Sequence, residues 1–120
     1  MGLQIDHYAI YCIDLESSIK FYKEIMGFKD IKRPDFEFPG YWFDVGKGQQ
    51  LHLISGRNVS EGDLPNTRNI HYAFKSSDIN KFNNHLDLHK IPKIGPKKRP
   101  DGITQIFIQD PNGYWIEITE

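Results

Sequence analysis

A repeated phrase of sequence constrains this fold more than any other feature of the chain. His7-Tyr8-Ala9-Ile10 returns as His71-Tyr72-Ala73-Phe74, and an Asp followed by an aliphatic residue comes at the same distance after each histidine, as Asp14-Leu15 and Asp78-Ile79. Because a repeated phrase indicates a repeated structural unit, we expect two modules of one kind within one domain, 1–120. The modules cover about residues 1–56 and 69–120.

Each half has the same predicted order of elements. Alternating apolar residues indicate strands, and an Asp before a helical pattern offers an N-cap. In the first half we expect a strand over 5–13, a helix after Asp14, and strands over 28–32, 41–45 and 50–55. In the second we expect a strand over 69–75, a helix after Asp78, strands over 93–95, 104–109 and 114–119, and a turn at Asp110-Pro111-Asn112-Gly113. Gly56 to Arg68 reads as a linker loop between the halves.

This order predicts an α+β protein built from two tandem βαβββ modules. Two such modules can pair into a curved mixed sheet with a concave face. Strand alternation decides which side chains reach that face. His7 and His71 lie on the first strand of each half, whereas His52 and Glu117 lie on the last. All four oppose the apolar residues that would pack on the helices, and two-fold pseudosymmetry would bring them toward one point.

Imidazole and carboxylate donors at equivalent positions predict a metal site. Such donors suit one divalent ion such as Zn, Ni, Fe, Mn or Co. Four protein ligands would leave open positions on a six-coordinate ion, which Lewis-acid chemistry requires. The alternative is that each histidine is a satisfied polar residue, and for one histidine alone this would be the better interpretation.

Composition excludes several other classes of function. The net charge of −1 and the pI near 6.5 give no field that would hold nucleic acid or an acidic membrane surface. No apolar run approaches the length of a membrane span. Cys12 is the only cysteine, so no intrachain disulfide forms, which fits a reducing compartment. We expect a cytoplasmic protein. Lys97-Lys98-Arg99 and Arg33 are expected in loops.

Several phrases resemble the vicinal-oxygen-chelate superfamily, which includes glyoxalase I, bleomycin resistance proteins and dioxygenases. The phrases are Asp6-His7-Tyr8-Ala9-Ile10, Asp14 to Tyr22, Met26-Gly27-Phe28, His71-Tyr72-Ala73-Phe74 and Asp110-Pro111-Asn112-Gly113-Tyr114-Trp115-Ile116-Glu117-Ile118. Arg33-Pro34 to Phe43 with Gln50-Leu51-His52-Leu53-Ile54 is most similar to a glyoxalase-I-like subgroup. The resemblance implies paired βαβββ modules around a divalent metal, and a homodimer.

The resemblance also implies roles for individual residues. His7, His71 and Glu117 match the common metal ligands, and His52 falls where glyoxalase I has a Glu. The implied chemistry is capture of two neighbouring substrate oxygens, with proton transfer by Glu117 as first candidate base and His52 as second. Tyr11, Trp42, Phe43 and Trp115 either wall the substrate pocket or pack in the core.

Three functions are open at this point. The first is a metal-dependent glyoxalase-I-like lyase or isomerase acting on a small α-oxygenated carbonyl compound. The second is a non-haem Fe(II) dioxygenase, and the third is a metal-free binding or resistance protein. No organic cofactor is indicated, and a thiol co-substrate is left open.

Overall fold

The computed structural model describes Gly2, residues 4–56 and residues 71–120. The chain divides into two compact units, Met1–Asp63 and Leu64–Glu120. Of the predicted linker only Gly56 is described, and the predicted strand residues Asn69 and Ile70 also lie outside the described residues. Within the described ranges, neither helix is long and apolar enough to cross a membrane.

The first module has the predicted βαβββ order. Its elements are β1 (His7–Tyr11), α1 (Leu15–Glu24), β2 (Lys29–Asp30), β3 (Gly40–Gly46) and β4 (Gln49–Ile54). The four strands form one sheet in the order β1-β4-β3-β2. β1 runs parallel to β4, and the other two pairs are antiparallel. The parallel pair is possible because α1 provides the crossover between the two strands.

The second module repeats this plan. Its elements are β5 (His71–Lys75), α2 (Ile79–Leu88), β6 (Ile94–Lys98), β7 (Thr104–Gln109) and β8 (Trp115–Thr119). The sheet order is β5-β8-β7-β6, with β5 parallel to β8. The α+β class and the two βαβββ modules predicted from the repeat are therefore confirmed, each module as a four-stranded mixed sheet.

The core of each module lies on the face of the sheet that the alternation assigns to the helix. In the first module Phe43, Leu51 and Leu53 are fully buried, and the Phe43 ring packs near the rings of Tyr22 and Phe28 at 6.2 and 6.3 Å. In the second module the fully buried residues include Leu86, Ile106, Ile108, Ile116 and Ile118. Burial of these side chains supplies the main favourable term in folding.

The two helices begin differently, which corrects one expectation. Asp78 caps α2 as predicted, because its Oδ1 accepts a hydrogen bond from the Lys81 backbone N–H at 3.0 Å. Asp14 holds the N-cap position of α1, but its side chain makes no capping bond. Instead the hydroxyl of Ser17 donates to the Asp14 carbonyl at 3.1 Å.

The basic cluster is the second correction. Lys97 and Lys98 lie in strand β6 and pair with Gln105 and Thr104 of β7, so they are not loop residues. The surrounding Pro and Gly suggested a loop, yet an edge strand tolerates proline, since one side of it carries no ladder bonds. Arg99 follows the strand, and Arg33 lies in the predicted loop between β2 and β3.

Candidate metal site

Each module brings its own pair of predicted ligands onto one face of its sheet. In the first module His52 of β4 lies opposite Ala9 of β1 and Trp42 of β3. In the second, Glu117 of β8 lies opposite Ala73 of β5 and Phe107 of β7. His52 and Glu117 therefore occupy equivalent positions, as the repeat predicted. The four-residue ligand set itself stays a prediction.

The ligand pair of the first module is part of a stack of three rings. The His52 imidazole lies 3.7 Å from the Trp42 ring with an interplanar angle of 2°. On its other side the His7 ring lies 4.1 Å away at 17°. Parallel rings at these distances are in van der Waals contact over their whole faces. The stack holds His52 in one orientation and leaves it 8% exposed.

Two polar neighbours orient the imidazole rings of this stack. Nδ1 of His7 lies 2.7 Å from Oδ2 of Asp6, and Nε2 of His52 lies 2.8 Å from Oε1 of Gln50. Both neighbours are acceptors, so each bonded nitrogen carries the proton in the neutral ring. Nε2 of His7 and Nδ1 of His52 therefore keep the lone pairs, as in metal ligands whose second nitrogen is held by an acceptor.

The surroundings of His52 disfavour its charged form. Burial lowers the pKa of His52 below its ordinary value, and the charge of nearby His7 lowers it further. Asp6 acts in the opposite direction. Because only a neutral imidazole binds a metal, this environment favours a ligand that is available at neutral pH.

The stack as it stands does not chelate one ion through both rings. A metal bound to imidazole lies near the plane of the ring, and the planes of His7 and His52 are almost parallel and separated by the stacking distance. Their in-plane lone pairs therefore do not converge. The donor chemistry of the pair suits a divalent metal, and joint ligation requires one ring to turn.

The second module holds its predicted ligands as an acid–base pair. Nε2 of His71 lies 3.2 Å from Oε1 of Glu117, whose residue is 7% exposed. The Phe107 ring meets the edge of the His71 ring at a centroid distance of 5.6 Å. Two ligand atoms at right angles on an ion, with bonds of about 2.1 Å, would lie about 3 Å apart. This pair therefore fits neighbouring positions on one divalent ion.

Among the described residues, no three His, Cys, Asp or Glu side chains are grouped as a set that could hold a metal ion. The structure thus gives two pairs of donors, one in each module. The fit to a metal depends on the chemistry of these donors and on the close approach of His71 to Glu117.

The predicted wall residues separate into two groups. Phe43 is fully buried among Tyr22, Phe28 and Tyr41, so its interpretation as a pocket residue is wrong, because its strand position points it at α1. Trp42 instead lies on the same side of the sheet as His52 and stacks on its ring. Tyr11 and Trp115 are half-buried.

Sequence reasoning missed three residues that contact the predicted ligands: Asp6, Gln50 and Phe107. A signal for each was present in the sequence. Gln50 precedes His52 by two positions on one strand, so the two share a face. Phe107 lies in the predicted hairpin opposite Glu117, and Asp6 directly precedes His7.

The comparison with known proteins identifies the family at this point. The model of the Glyoxalase/Bleomycin resistance protein/Dioxygenase superfamily matches residues 4–118. The chain belongs to this superfamily. It is 27% identical over 120 residues to Glyoxylase I 4 of Arabidopsis thaliana, a match that covers 95% of this chain and 68% of the plant protein.

Solved structures share the fold. A glyoxalase family protein from Bacillus anthracis has a TM-score of 0.83 at 28% identity, covering 100% of this chain and 96% of its own. The fosfomycin resistance protein FosX of Listeria monocytogenes, a mutant complexed with Mn(II) and 1S,2S-dihydroxypropylphosphonic acid, has a TM-score of 0.79 at 15% identity, covering 98% of this chain and 92% of its own. At that identity the FosX likeness shows the fold alone.

Proposed function

We propose that this superfamily member is a divalent-metal-dependent lyase or isomerase of the glyoxalase I type. Its substrate would be a small carbonyl compound with oxygen on the adjacent carbon. The proposed metal donors are His7, His52, His71 and Glu117. The observation that carries the proposal is the buried Glu117 carboxylate within 3.2 Å of His71 Nε2, on the sheet face opposite the core.

Burial of this carboxylate is the physical argument for a functional role. A buried acid is costly unless a cation, a metal or hydrogen bonds compensate it. If position 117 had only a structural role, an apolar residue could pack there without this cost. The FosX structure with Mn(II) adds that at least one protein of this fold binds a divalent ion.

A divalent ion bound by these donors would supply Lewis-acid stabilisation of negative charge on a substrate oxygen. The residues of the chain supply the proton transfer. Once detached from the ion, the carboxylate of Glu117 would take a proton from one carbon and return it to the neighbouring carbon. His52 is the second base. It could serve only when it is not bound to the ion, and it would then accept the proton at Nδ1, because Nε2 donates to Gln50.

The test is proton exchange and turnover with the hemithioacetal of methylglyoxal and glutathione, followed by NMR in deuterated water. Glu117→Gln keeps the shape of the side chain and removes the base, so the rate is expected to fall by about 10²–10⁴. Glu24→Gln, on the exposed side of α1, is the matched control and is expected to keep the rate of the wild type.

Other outcomes would favour a different reaction or a different base. Oxygen uptake with a catechol by the Fe(II)-loaded protein would favour the dioxygenase alternative instead. Turnover by Glu117→Gln at the rate of the wild type would remove Glu117 from the proposed role of base.

A metal-free binding protein is the second candidate, and the stack of Trp42, His52 and His7 favours it. These rings pack face to face and satisfy one another without an ion. Tight one-to-one binding of a planar ligand by protein treated with a chelator, with no turnover when metal is added, would support this candidate.

The proposal includes a cytoplasmic homodimer. The single cysteine, Cys12, is buried and forms no disulfide, which suits a reducing compartment. Sedimentation at micromolar protein concentration would measure the oligomeric state.

A further inference from the structure

A cavity of about 350 Å³ lies within the second module, and one of its lining residues, Phe107, contacts His71. Sites for small molecules usually have volumes of about 300–1,000 Å³, so this cavity is large enough for one ring and its substituent. Phe107 connects the cavity to the pair, since its ring lines the cavity and also meets the edge of the His71 ring. The cavity therefore begins one ring away from the proposed catalytic carboxylate.

The walls of the cavity combine four apolar residues with three polar ones. The apolar residues form one part of the lining. They are Pro92, Ile94, Phe107 and Trp115. Ile94 is the register partner of Phe107, and Phe107 is the partner of Glu117, so these side chains share the face of the carboxylate. Two aromatic rings and two aliphatic side chains favour a planar apolar ligand group, which can stack on a ring or meet its edge.

The polar groups of the cavity are already compensated. Nζ of Lys93 donates to the carboxylate of Asp87 and, at 2.5 Å, to Oδ1 of Asn83. The Asp110 carboxylate accepts from the backbone N–H groups of Asn112 and Tyr114 at 2.8 and 3.0 Å.

Gln109, the third polar residue of the lining, donates from Nε2 to the Gly113 carbonyl at 3.2 Å. A charged ligand group would lose its hydration here and would have to compete with these bonds for a partner. The lining therefore favours a neutral group over a carboxylate or an ammonium.

We infer that this cavity binds a neutral aromatic ring carried by the substrate, while the neighbouring oxygens of the substrate extend toward His71 and Glu117. The inference rests on the proposed function for the role of the two oxygens. It names the substrate class as an aryl-substituted α-oxygenated carbonyl compound. Ile94, Phe107 and Trp115 would then determine the preference for aryl over short aliphatic substrates.

The cavity is tested alone in metal-free protein with benzyl alcohol, a neutral single-ring probe that cannot chelate. The chain has two tryptophans, so Trp42→Phe assigns the indole N–H signal of Trp115 in ¹H–¹⁵N spectra. We expect a saturable shift of that signal. In Ile94→Phe the larger side chain would occupy part of the space that the probe needs, and the affinity is expected to fall about tenfold or more.

Ile31→Phe is the matched control, because Ile31 lies beside Trp42 in the first module as Ile94 lies beside Phe107 in the second. It should leave the response of Trp115 unchanged. Circular dichroism and the melting temperature establish that both variants are folded. The inference would be overturned if the Trp115 signal did not shift with benzyl alcohol, or if Ile94→Phe showed the same shift at the same concentrations as the wild type.

A pair of substrates then separates this inference from the proposed function. 2-Hydroxyacetophenone and hydroxyacetone share the same two oxygens and differ by the ring. The metal-loaded wild type should bind the aryl compound about tenfold more tightly, and Ile94→Phe should remove the difference. Binding of benzyl alcohol without turnover of either compound would contradict the proposed function and would still support an aromatic binding site in the cavity. Turnover of both compounds with equal KM would support the proposed function and contradict the aromatic site.

Discussion

The two modules share one backbone plan but carry different chemistry at equivalent positions. Trp42 and Phe107 each lie opposite a central-strand residue, which is His52 in the first module and Glu117 in the second. His52 lies between two rings and burial lowers its pKa, whereas Glu117 is a buried acid beside His71. The repeat thus places a donor side chain at the same position in both modules. The residue type and its neighbours make it a stacked imidazole in the first module and a carboxylate beside an imidazole in the second.

The largest expected effect is the loss of stability when a core side chain is truncated. It should be similar in the two modules, although their cores differ in composition. Phe43 and Ile108 occupy equivalent buried positions, facing Leu51 and Ile116. Phe43→Ala should lower the free energy of unfolding by about 3–5 kcal/mol and Ile108→Ala by about 2–5 kcal/mol, since each leaves a cavity. Urea denaturation followed by circular dichroism measures both.

Ile5→Ala is the control for these core variants, because Ile5 is 53% exposed and should change stability by no more than about 0.5 kcal/mol. A loss below about 1 kcal/mol in either core variant would show that the fully buried position is not part of a packed core.

The next effect concerns the residues that orient the imidazoles of the first module. Asp6→Ala and Gln50→Leu remove the acceptors for His7 Nδ1 and His52 Nε2. Each should weaken metal affinity by about 10–100-fold, because such partners fix the ring and its tautomer. Competition with a chromophoric chelator measures the affinity. Asp35→Ala, in the exposed loop, is the control, and equal affinities in all four proteins would refute the orienting role.

The helix caps give a smaller difference between the modules. Asp78→Ala removes a capping bond to Lys81 N–H and should cost about 1 kcal/mol of stability. Asp14→Ala removes no capping bond and should cost only a few tenths of a kcal/mol. Thermal unfolding of the two variants measures the difference, and an equal loss in both would contradict the observed capping.

The smallest effect is a dependence of stability on pH that comes from His52. Its pKa is lowered in the folded protein, so the unfolded chain binds the proton at higher pH. Stability from this residue is therefore present above the ordinary histidine pKa of 6.5 and is lost as the pH falls below it. In metal-free protein the slope of unfolding free energy against pH should be less positive in His52→Phe. Identical slopes would contradict the account.

The sequence predicts the modules well because the repeat and the strand alternation are local signals. The strand over 104–109 is found as predicted, and the turn after it closes through a hydrogen bond from Gly113 N–H to the Asp110 carbonyl at 3.0 Å. Gly27 adopts the expected left-handed conformation after α1, with φ of 72°. The choice of sheet face for His52 and Glu117 follows from the same alternation.

The errors arise where one local hydrogen bond replaces another, or where strand pairing overrides the local pattern. Asp14 has the residue type of a cap, yet Ser17 bonds its carbonyl instead. Lys97 and Lys98 pair with β7 although prolines flank their cluster. The ring stack of His52 was beyond sequence reasoning, because it depends on the side-chain rotations of residues on three strands.

The metal content of the purified protein tests the central claim most directly. Plasma mass spectrometry of the wild type, His7→Ala, His71→Ala and His89→Gln should give about one equivalent of divalent metal in the wild type. The first two variants should lose it. His89→Gln should keep it, because exposed His89 and its neighbour His85 are the surface pair that could bind metal adventitiously. A wild type that holds and accepts no divalent metal, or metal lost only in His89→Gln, would contradict the account.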